Sequence, residues 1–414
     1  MQTASDSRTV HARSISPRHQ FGKVAKTGTK GLGGGWRWRV AAGAALVTVA
    51  LGGWASWAAL TADYQMPGTL SVQFVSQRAG WAVTPGHLWR TADGGSTWVS
   101  MPTPPDFEGR IDPVAVLSDS TAVVCTMAGG RWHVYSTQDA GIRWAVTGKL
   151  PVPAIPGAPP VPESSTGGTF VQFVTPQVGW IVTSIGGAAG SERIDLAHTA
   201  DGGAHWTYTW WPSPPSVTLG GGGGDITGIQ FLSPQLGFLT GARLLLGAPF
   251  LVRWIGGTGP GNEPAVPHAF ASTELEVSAP LRTGTGRLLL PVMATPGGYL
   301  AESANDGDTW HVVGILPQAI AAFGQSPLRA ALRGSADLWI AQGRDIWVSN
   351  QGGRDWHLVQ HLPSSEVVSG LASAGSQIAW VPVALDNRSG MPIRPVALLR
   401  TTNAGRTWQH VTVP

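Results

Sequence analysis

Six segments of the chain carry an oxygen-bearing side chain at a fixed spacing. Each has Ser or Thr, then Asp, Asn or Gln two residues later, then Gly after two more and Trp after a further three. The side chains at the second and last positions are Asp93 and Trp98, Asp139 and Trp144, Asp201 and Trp206, Asn305 and Trp310, Gln351 and Trp356, and Asn403 and Trp408. A carboxylate or amide oxygen there can accept hydrogen bonds from nearby backbone amides, and Gly supplies a positive φ angle. This chemistry is that of a tight β-hairpin anchored by Trp, so we predict that these six repeat turns are structural.

The spacing of the repeat turns counts the repeat units. Successive tryptophans are 46, 62, 104, 46 and 52 residues apart. Four of these intervals fit one blade of a β-propeller, and the interval of 104 fits two, so residues 225–268 form a blade without a repeat turn. Upstream of most repeat turns lies a strand ending in Phe-Val, as in Val72–Val75, followed by a Gly-Trp strand, as in Gly80–Val83. The sequence predicts an all-β fold, a seven-bladed β-propeller of four-stranded blades over residues 69–414.

These motifs together resemble a known group of propellers. The repeat turn is similar to the Asp box, also called the bacterial neuraminidase repeat. With the Phe-Val and Gly-Trp strands it resembles the photosystem II stability and assembly factor family, and more loosely the sortilin-type propellers. The resemblance covers roughly residues 69–414. It implies a non-catalytic assembly factor that docks a membrane-protein client. In place of the cleaved targeting sequence expected of that family, this chain has a long N-terminal apolar run.

The N-terminal residues differ in composition from the rest of the chain. Residues 1–39 contain eight Lys or Arg and one acid, Asp6, without hydrophobic periodicity, which predicts a disordered tail. Val40–Leu60 has no charged residue and is long enough to cross a bilayer as a helix, and residues 61–68 form a linker. The run exceeds a typical signal-peptide core and lacks a clear cleavage site, which favours an uncleaved anchor over a cleaved signal peptide. The basic flank predicts a single-pass cell-membrane protein with a cytoplasmic N-terminus and an extracytoplasmic propeller.

The charge balance argues against nucleic acid as a partner. The chain has a formal net charge of +3 and a pI near 9.3, but the basic tail accounts for this. Without residues 1–39, 19 basic and 23 acidic residues remain, so the propeller is slightly acidic. Cys125 is the single cysteine, so no internal disulfide can form, and we expect a buried thiol.

No arrangement of residues predicts catalysis or a cofactor. A sialidase-like site would combine an arginine cluster, a tyrosine nucleophile with a paired glutamate, and an aspartate acid/base. Tyr64, Tyr135, Tyr208 and Tyr299 lie near the anchor, in repeat strands or after a repeat turn, and Arg110 lies after the first repeat turn rather than before it. The histidines form no metal-binding spacing, and Gly220–Gly224 lacks the Lys-Ser/Thr of a phosphate loop. We therefore expect no enzyme activity, metal or cofactor. The alternative is a propeller that binds or cleaves envelope glycans, which leaves a small-molecule or glycan ligand open.

Strand alternation divides the predicted turns between two faces. The turns between first and second strands and the repeat turns share one face, the turn face. The second-to-third turns and the connections between blades share the other, the loop face. The longest predicted loops all belong to the loop face: Pro151–Gly168, Ser184–Ile194, Pro212–Gly224 and Leu385–Pro395. Binding residues are often found on such loops, but these segments could equally be slack insertions without a ligand.

Four arginines are the candidate residues for partner binding. Arg90 and Arg400 directly precede the repeat-turn Thr in blades 1 and 7, which ring closure makes neighbours. We predict that they approach each other across that seam. Arg354 and Arg406 lie at equivalent places in the repeat turns of blades 6 and 7 and extend the positive charge. The alternative is that each arginine pairs with a nearby carboxylate. The expected partner is a protein client in a membrane or envelope complex.

Overall fold

The structure is a computed structural model, and it describes residues 70–107, 114–128, 131–151, 169–188, 191–211, 224–243, 249–255, 274–294, 297–317, 328–386 and 395–414. The predicted tail, anchor and linker lie outside these ranges. Within them the chain forms strands and turns, and no helix there is long and apolar enough to cross a membrane.

The strands form seven antiparallel sheets in chain order, which confirms the predicted seven-bladed β-propeller. Blade 1 contains β1 (Ser71–Phe74), β2 (Gly80–Thr84), β3 (His87–Thr91) and β4 (Val99–Met101). Blade 2 contains β5 (Val114–Val116), β6 (Ala122–Ala128), β7 (Arg131–Thr137) and β8 (Ala145–Pro151). Blade 3 contains β9 (Thr169–Phe173), β10 (Gly179–Ala188), β11 (Ser191–Thr199) and β12 (Thr207–Trp211). Blade 4 contains β13 (Gly224–Ser233), β14 (Leu236–Arg243) and β15 (Pro249–Ile255).

The last three blades follow the same order of strands. Blade 5 contains β16 (Glu274–Val277), β17 (Leu281–Arg282), β18 (Leu288–Ala294), β19 (Tyr299–Ser303) and β20 (His311–Ile315). Blade 6 contains β21 (Arg329–Arg333), β22 (Asp337–Gln342), β23 (Asp345–Asn350) and β24 (Asp355–His361). Blade 7 contains β25 (Glu366–Val368), β26 (Ala372–Ala374), β27 (Ile378–Leu385), β28 (Pro395–Thr401) and β29 (Gln409–Val411). In blades 5 and 7 the first strand is split in two, and both parts pair with the second strand.

The predicted four strands are described in every blade except blade 4, and one predicted loop requires a correction. Blade 4 has three strands among the described residues, because the segment where a fourth would follow, 256–273, lies outside them. The predicted insertion Ser184–Ile194 is in large part a strand extension, since β10 reaches Ala188 and β11 begins at Ser191.

Buried apolar side chains form one cluster at each of the seven blade interfaces. Across the seam between blades 7 and 1 the cluster joins Trp380 and Leu398 to Leu70 and Ala82. Packing between the first and last blades therefore closes the ring. Among the described residues, neither of these two blades contains a strand from the other end of the chain. Cys125 is fully buried, within the cluster between blades 2 and 3.

The geometry explains why Phe and Gly-Trp recur together. Phe74 lies directly opposite Gly80 in the β1–β2 register, and its ring covers the glycine so closely that a Cβ there would overlap it. The other side of the ring stacks on Trp380 of the preceding blade, with centroids 3.5 Å apart. Phe231 repeats the arrangement, covering Gly237 and stacking on Trp180 at 3.6 Å. Stacked aromatic rings stabilise an interface beyond the apolar area that they bury, so this motif helps to hold adjacent blades together.

Candidate functional site

The repeat turns form the predicted hydrogen-bonded hairpin in five of the six segments. In blade 1 the Thr91 hydroxyl donates to Asp93 Oδ1 (2.9 Å) and accepts from the Gly95 amide (2.8 Å). Asp93 Oδ1 also accepts from the Thr97 amide (2.9 Å). The same pattern occurs around Asp139, Asp201, Asn305 and Asn403. In each repeat turn the Gly two residues after the Asx/Gln has a φ between 82° and 94° and lies against a side chain, usually one of the preceding blade, so a larger residue would be both strained and crowded.

Blade 6 departs from this pattern because Gln351 replaces Asp or Asn. Gln351 adopts a φ of 55°, and no hydrogen bond from its own side chain closes this turn. Asp337, at the start of the second strand, accepts from the Gly352 amide (2.9 Å). The Ser349 hydroxyl accepts from the Leu338 amide (2.7 Å). The Gly352 amide is equivalent to the Gly94 amide, which donates to the Arg78 carbonyl in blade 1, so Asp337 replaces a backbone carbonyl and not the repeat-turn side chain. The prediction that Gln351 acts like Asp is therefore wrong, because Gln is one methylene longer and its side chain closes no hydrogen bond in this turn.

Each turn carboxylate accepts at least two of these hydrogen bonds. Hydrogen bonding from the Thr97 side chain lowers the pKa of Asp93 to about 2, and the backbone and side chain of His205 lower that of Asp201 to about 2. A hydrogen bond from the Arg143 amide also lowers the pKa of Asp139. These groups remain ionised acceptors at neutral pH, so their chemistry is structural.

The repeat-turn tryptophans fill spaces at the blade interfaces. Trp144 packs edge-on against Trp81 of blade 1, and its Nε1 donates to the Pro102 carbonyl (2.9 Å). Trp408 packs against Trp339 of blade 6, and Trp310 against Phe238 of blade 4. Trp98 and Trp206 meet Phe74 and Phe173 of their own blades. Trp356 packs against the cluster between blades 5 and 6.

The structure places Arg90 and Arg400 on third strands of adjacent blades, but in consecutive seams. Residues directly opposite each other in a sheet share one face. Arg400 is opposite Trp380, which points towards blade 1, where its Nε1 donates to the Gly94 carbonyl (2.8 Å). Arg90 is opposite Trp81, which points towards blade 2. The predicted approach of the two arginines across one seam is therefore wrong, because each follows its own tryptophan towards the next blade.

None of the four predicted arginines forms an ion pair with a carboxylate among the described residues. Arg400 Nη1 donates to the Ser96 hydroxyl (2.8 Å) in the repeat turn of blade 1. Arg354 and Arg406 are exposed in the repeat turns of blades 6 and 7. In four blades the repeat turn is hydrogen-bonded to the first-to-second strand turn of its own blade, as from the Gly94 amide to the Arg78 carbonyl (2.7 Å). Both kinds of turn thus lie on the turn face. We refer to Arg90, Arg354, Arg400 and Arg406, on blades 1, 6 and 7, as the basic sector.

Sequence reasoning missed a third arginine of the same kind. Arg253 lies in blade 4, which has no repeat turn, yet it is opposite Phe238 as Arg90 is opposite Trp81. Its Nη1 binds Asp308 Oδ1 in the repeat turn of blade 5 at 2.9 Å. A signal was available, because Leu-x-Arg occurs at Leu88–Arg90, Leu251–Arg253 and Leu398–Arg400.

The loop face is only partly described. Residues 152–168, 212–223 and 387–394, which contain most of the predicted long loops, lie outside the described residues, as does Arg110. Tyr135 and Tyr299 are buried in the second and fifth blades. Within the described ranges, no group of three or more His, Cys, Asp or Glu side chains is placed to hold a metal ion.

The fold defines a seven-bladed β-propeller, and solved structures share it. No protein-family model matches the chain. No curated protein matches it either. The chain is similar in structure to YCF48 bound to a D1 peptide, with a TM-score of 0.50 and 18% identity over 82% of this chain and 94% of that one. It also matches the β-propeller domain of the Trilobed protease from Pyrococcus furiosus, with a TM-score of 0.46 and 7% identity over 83% of this chain and 98% of that one. An ancestral GH74 enzyme matches with a TM-score of 0.45 and 9% identity, over 83% of this chain and 54% of that enzyme. At these identities the likeness is one of fold.

Proposed function

We propose that this protein is a membrane-anchored, extracytoplasmic propeller that binds a protein client and helps to assemble or stabilise a membrane or envelope complex without catalysis. The observation that carries the proposal is the basic sector of the turn face. Arg90, Arg354, Arg400 and Arg406 meet no carboxylate among the described residues, although a carboxylate is available to the equivalent Arg253. Guanidinium groups without an internal counter-ion are suited to bidentate recognition of carboxylates on another protein.

The surroundings of the sector also favour a protein partner. The arginines are held by a rigid ring with buried packing at every described blade interface, so a surface built on it loses little entropy on binding. Arginine and aromatic residues are enriched in protein interfaces. The structurally similar YCF48 is itself described in complex with a peptide. A comparable mode of binding, to a client of unknown identity, is what we propose for this chain.

The client proposal is tested by charge reversal on the turn face. We expect the double variant Arg354→Glu and Arg406→Glu to fold normally, because both side chains are exposed. It should lose the client that chemical cross-linking and mass spectrometry recover with the wild-type protein from native membranes. Arg131→Glu, an exposed arginine of blade 2 at the loop face, is the matched control. Equal recovery with the double variant, the control and the wild type would contradict the proposal.

The anchored topology rests on the uncharged run Val40–Leu60 and its basic flank. Protease added to intact cells or protoplasts should digest the propeller while sparing a cytoplasmic marker protein. Digestion that requires permeabilised cells would show that the proposed orientation is wrong.

The alternative, a propeller that binds or cleaves glycans, is favoured by one group on the loop face. Asp106, with a φ of 62°, lies 3.5 Å from His133 Nδ1, and the His133 ring packs edge-on against Tyr135. Burial, followed by the charge of Asp106, raises the pKa of Tyr135. A glycoside hydrolase needs such acid and base groups in one cleft. Hydrolysis of envelope glycans that Asp106→Asn abolishes would support this alternative over the client proposal.

A further inference from the structure

Three arginines occupy one repeated position, from which each faces the following blade. Arg90, Arg253 and Arg400 all lie on third strands, opposite an aromatic residue that packs against or points to that blade. In all three the Nε is buried and donates to no acceptor, so their side chains leave the sheet in the same way. The repeat therefore allows three copies of one seam to be compared within a single molecule.

The residue that meets this arginine is the fifth after the hydroxyl residue of the next repeat turn. In the seam between blades 4 and 5 it is Asp308, whose carboxylate binds Arg253 at 2.9 Å. In the seam between blades 7 and 1 it is Ser96, whose hydroxyl accepts from Arg400 at 2.8 Å. In the seam between blades 1 and 2 the equivalent position holds Ile142, which has no side-chain acceptor. Among the described residues Arg90 forms neither an ion pair nor a hydrogen bond through its side chain.

The same seam carries two exposed aliphatic side chains. Ile142 is 61% exposed. Val99 is directly opposite Arg90 in the β3–β4 register, and it is 63% exposed. An unpaired guanidinium thus shares this seam with two aliphatic groups that contact water, whereas in the other two copies the equivalent seam position provides an internal acceptor. Such a combination of a cation and exposed apolar area is characteristic of an interaction surface.

We infer that the seam between blades 1 and 2 binds an acidic side chain of a partner protein, carried by an extended segment whose flanking residues are aliphatic. The molecule itself shows the chemistry, because the equivalent Arg253 holds a carboxylate. The partner supplies from outside the carboxylate that Ile142 cannot supply, and its aliphatic neighbours cover Val99 and Ile142. This inference rests on the proposed function, protein binding, and specifies the ligand and the seam.

The test uses the full-length chain in mild detergent and fluorescein-labelled peptides with blocked ends. One peptide has a central Leu-Glu-Leu, a second has Leu-Gln-Leu, and a third has Ser-Glu-Ser. We expect the first to bind about tenfold more tightly than either of the others in fluorescence anisotropy, because both the charge-assisted pair and the apolar contacts contribute. Arg90→Gln should lower this affinity about tenfold, because its amide is uncharged.

Ile142→Asp is the sharper variant. It recreates the internal ion pair of the seam between blades 4 and 5, so it should occupy Arg90 and also abolish the preference for Leu-Glu-Leu. Position 142 is exposed, so this variant should unfold thermally at or above the wild-type temperature, which separates lost binding from lost folding. Arg131→Gln, an exposed arginine at the loop face, should bind the peptide like the wild type.

The inference is overturned if the wild-type chain binds all three peptides equally, or if Ile142→Asp binds Leu-Glu-Leu as the wild type does. Recovery of a client through Arg354 and Arg406 in that case would leave the proposed function standing and remove only this seam from it. Failure of client recovery together with selective peptide binding would instead retain the seam and contradict the assembly role.

Discussion

At the scale of single residues, the repeat turns differ in the direction of the hydrogen bond between the Asp or Asn side chain and the Thr hydroxyl four residues later. In blade 1 the Thr97 hydroxyl donates to Asp93 Oδ2 (2.7 Å). In blades 5 and 7 the direction is reversed, because Asn305 Nδ2 donates to the Thr309 hydroxyl (2.9 Å) and Asn403 Nδ2 to that of Thr407 (2.8 Å). A hydroxyl can take either role, so the same backbone accepts a carboxylate or an amide.

This reversal predicts how Asp93 variants behave. Asp93→Asn should keep the free energy of unfolding within about 0.5 kcal/mol at neutral pH, whereas Asp93→Ala should lose about 1–2 kcal/mol because the Thr97 amide loses its acceptor. The folded pKa of Asp93 is about 2, below its ordinary 3.8, so the stabilisation by its charge is present above 3.8 and lost as the pH falls towards 2. Asp93→Asn should therefore lose less stability than the wild type in that window. Denaturant unfolding at neutral and acid pH measures both effects, and equal stability of the Asn and Ala variants would contradict this account.

Glu276 should make the stability of the fold depend on pH in the opposite direction. Its carboxylate, on the first strand of blade 5, accepts one long hydrogen bond from the Leu328 amide (3.4 Å), and burial raises its pKa from 4.5 to about 7. The side chain is partly accessible to solvent, but the surrounding atoms of blades 5 and 6 remove most of its water, and this desolvation raises its pKa. The folded state holds the proton more tightly than the unfolded state, so stability falls as the pH rises from 4.5 to 7.

Glu276→Gln should remove this loss. Gln accepts the same hydrogen bond without titrating, so the variant should match the wild type below pH 4.5 and exceed its free energy of unfolding by about 2–3 kcal/mol above pH 7. Urea unfolding across this pH range is the measurement. A constant difference between the two proteins at every pH would show that Glu276 is not the titrating group.

At the scale of elements, two glutamines join the first strands of adjacent blades. Gln172 on β9 donates to the Phe231 carbonyl (2.9 Å) and accepts from the Phe231 amide (2.7 Å) on β13. Gln73 on β1 likewise donates to the Val114 carbonyl (2.6 Å) and accepts from the Val116 amide (3.1 Å) on β5. Each side-chain amide thereby pairs with a strand as another backbone would, at the centre of the ring, where neighbouring first strands do not pair directly.

Loss of one such bridge should weaken the contact between two blades. Gln172→Ala leaves both backbone groups of Phe231 without their partner, so we expect a loss of about 2–4 kcal/mol in the free energy of unfolding. Gln230→Ala is the matched control, because Gln230 holds the equivalent position in blade 4 and forms no such bridge among the described residues. Chemical denaturation of the two variants compares them, and equal losses would show that the bridge contributes nothing specific.

At the scale of the whole molecule, ring closure depends on packing rather than on a shared strand. Trp380 is fully buried between blades 7 and 1, stacked on Phe74 and hydrogen-bonded to the Gly94 carbonyl. Four second strands provide such a buried tryptophan: Trp81, Trp180, Trp339 and Trp380. Most repeat-turn tryptophans are less buried, which makes the second-strand set the stronger contributor to the core.

Substitutions at the closing seam should therefore affect the whole ring. We expect Trp380→Ala to lower the free energy of unfolding by about 3–5 kcal/mol. The half-buried Trp98→Ala should cost less, and Trp408→Ala, whose indole packs on Trp339, should lie between the two. Calorimetry should show a single transition in each case, because no blade can keep both of its interfaces once the ring has opened. A separate early transition in Trp380→Ala would show that the blades unfold independently.

The sequence by itself determined the architecture, because the repeat turn and the Phe and Gly-Trp strands depend on local geometry. A hydroxyl, an acceptor, a glycine and a tryptophan at fixed spacing can satisfy one hairpin, and the spacing between hairpins counts the blades. The failure at Gln351 has a physical reason, since Gln is one methylene longer than Asn and its side chain closes no hydrogen bond in the turn.

Only the tertiary structure decided which residues meet across seams. Arg90 and Arg400 have the same sequence context, yet Arg400 donates to Ser96 of the next blade whereas position 142, equivalent to Ser96, holds Ile in the blade that Arg90 faces. Arg253 escaped prediction because it has no repeat turn, and Gln73, Gln172 and Glu276 escaped it because their partners lie 41 to 59 residues away. Local chemistry therefore defines the blades, whereas the candidate binding sites arise from contacts between blades, which depend on the geometry of the closed ring.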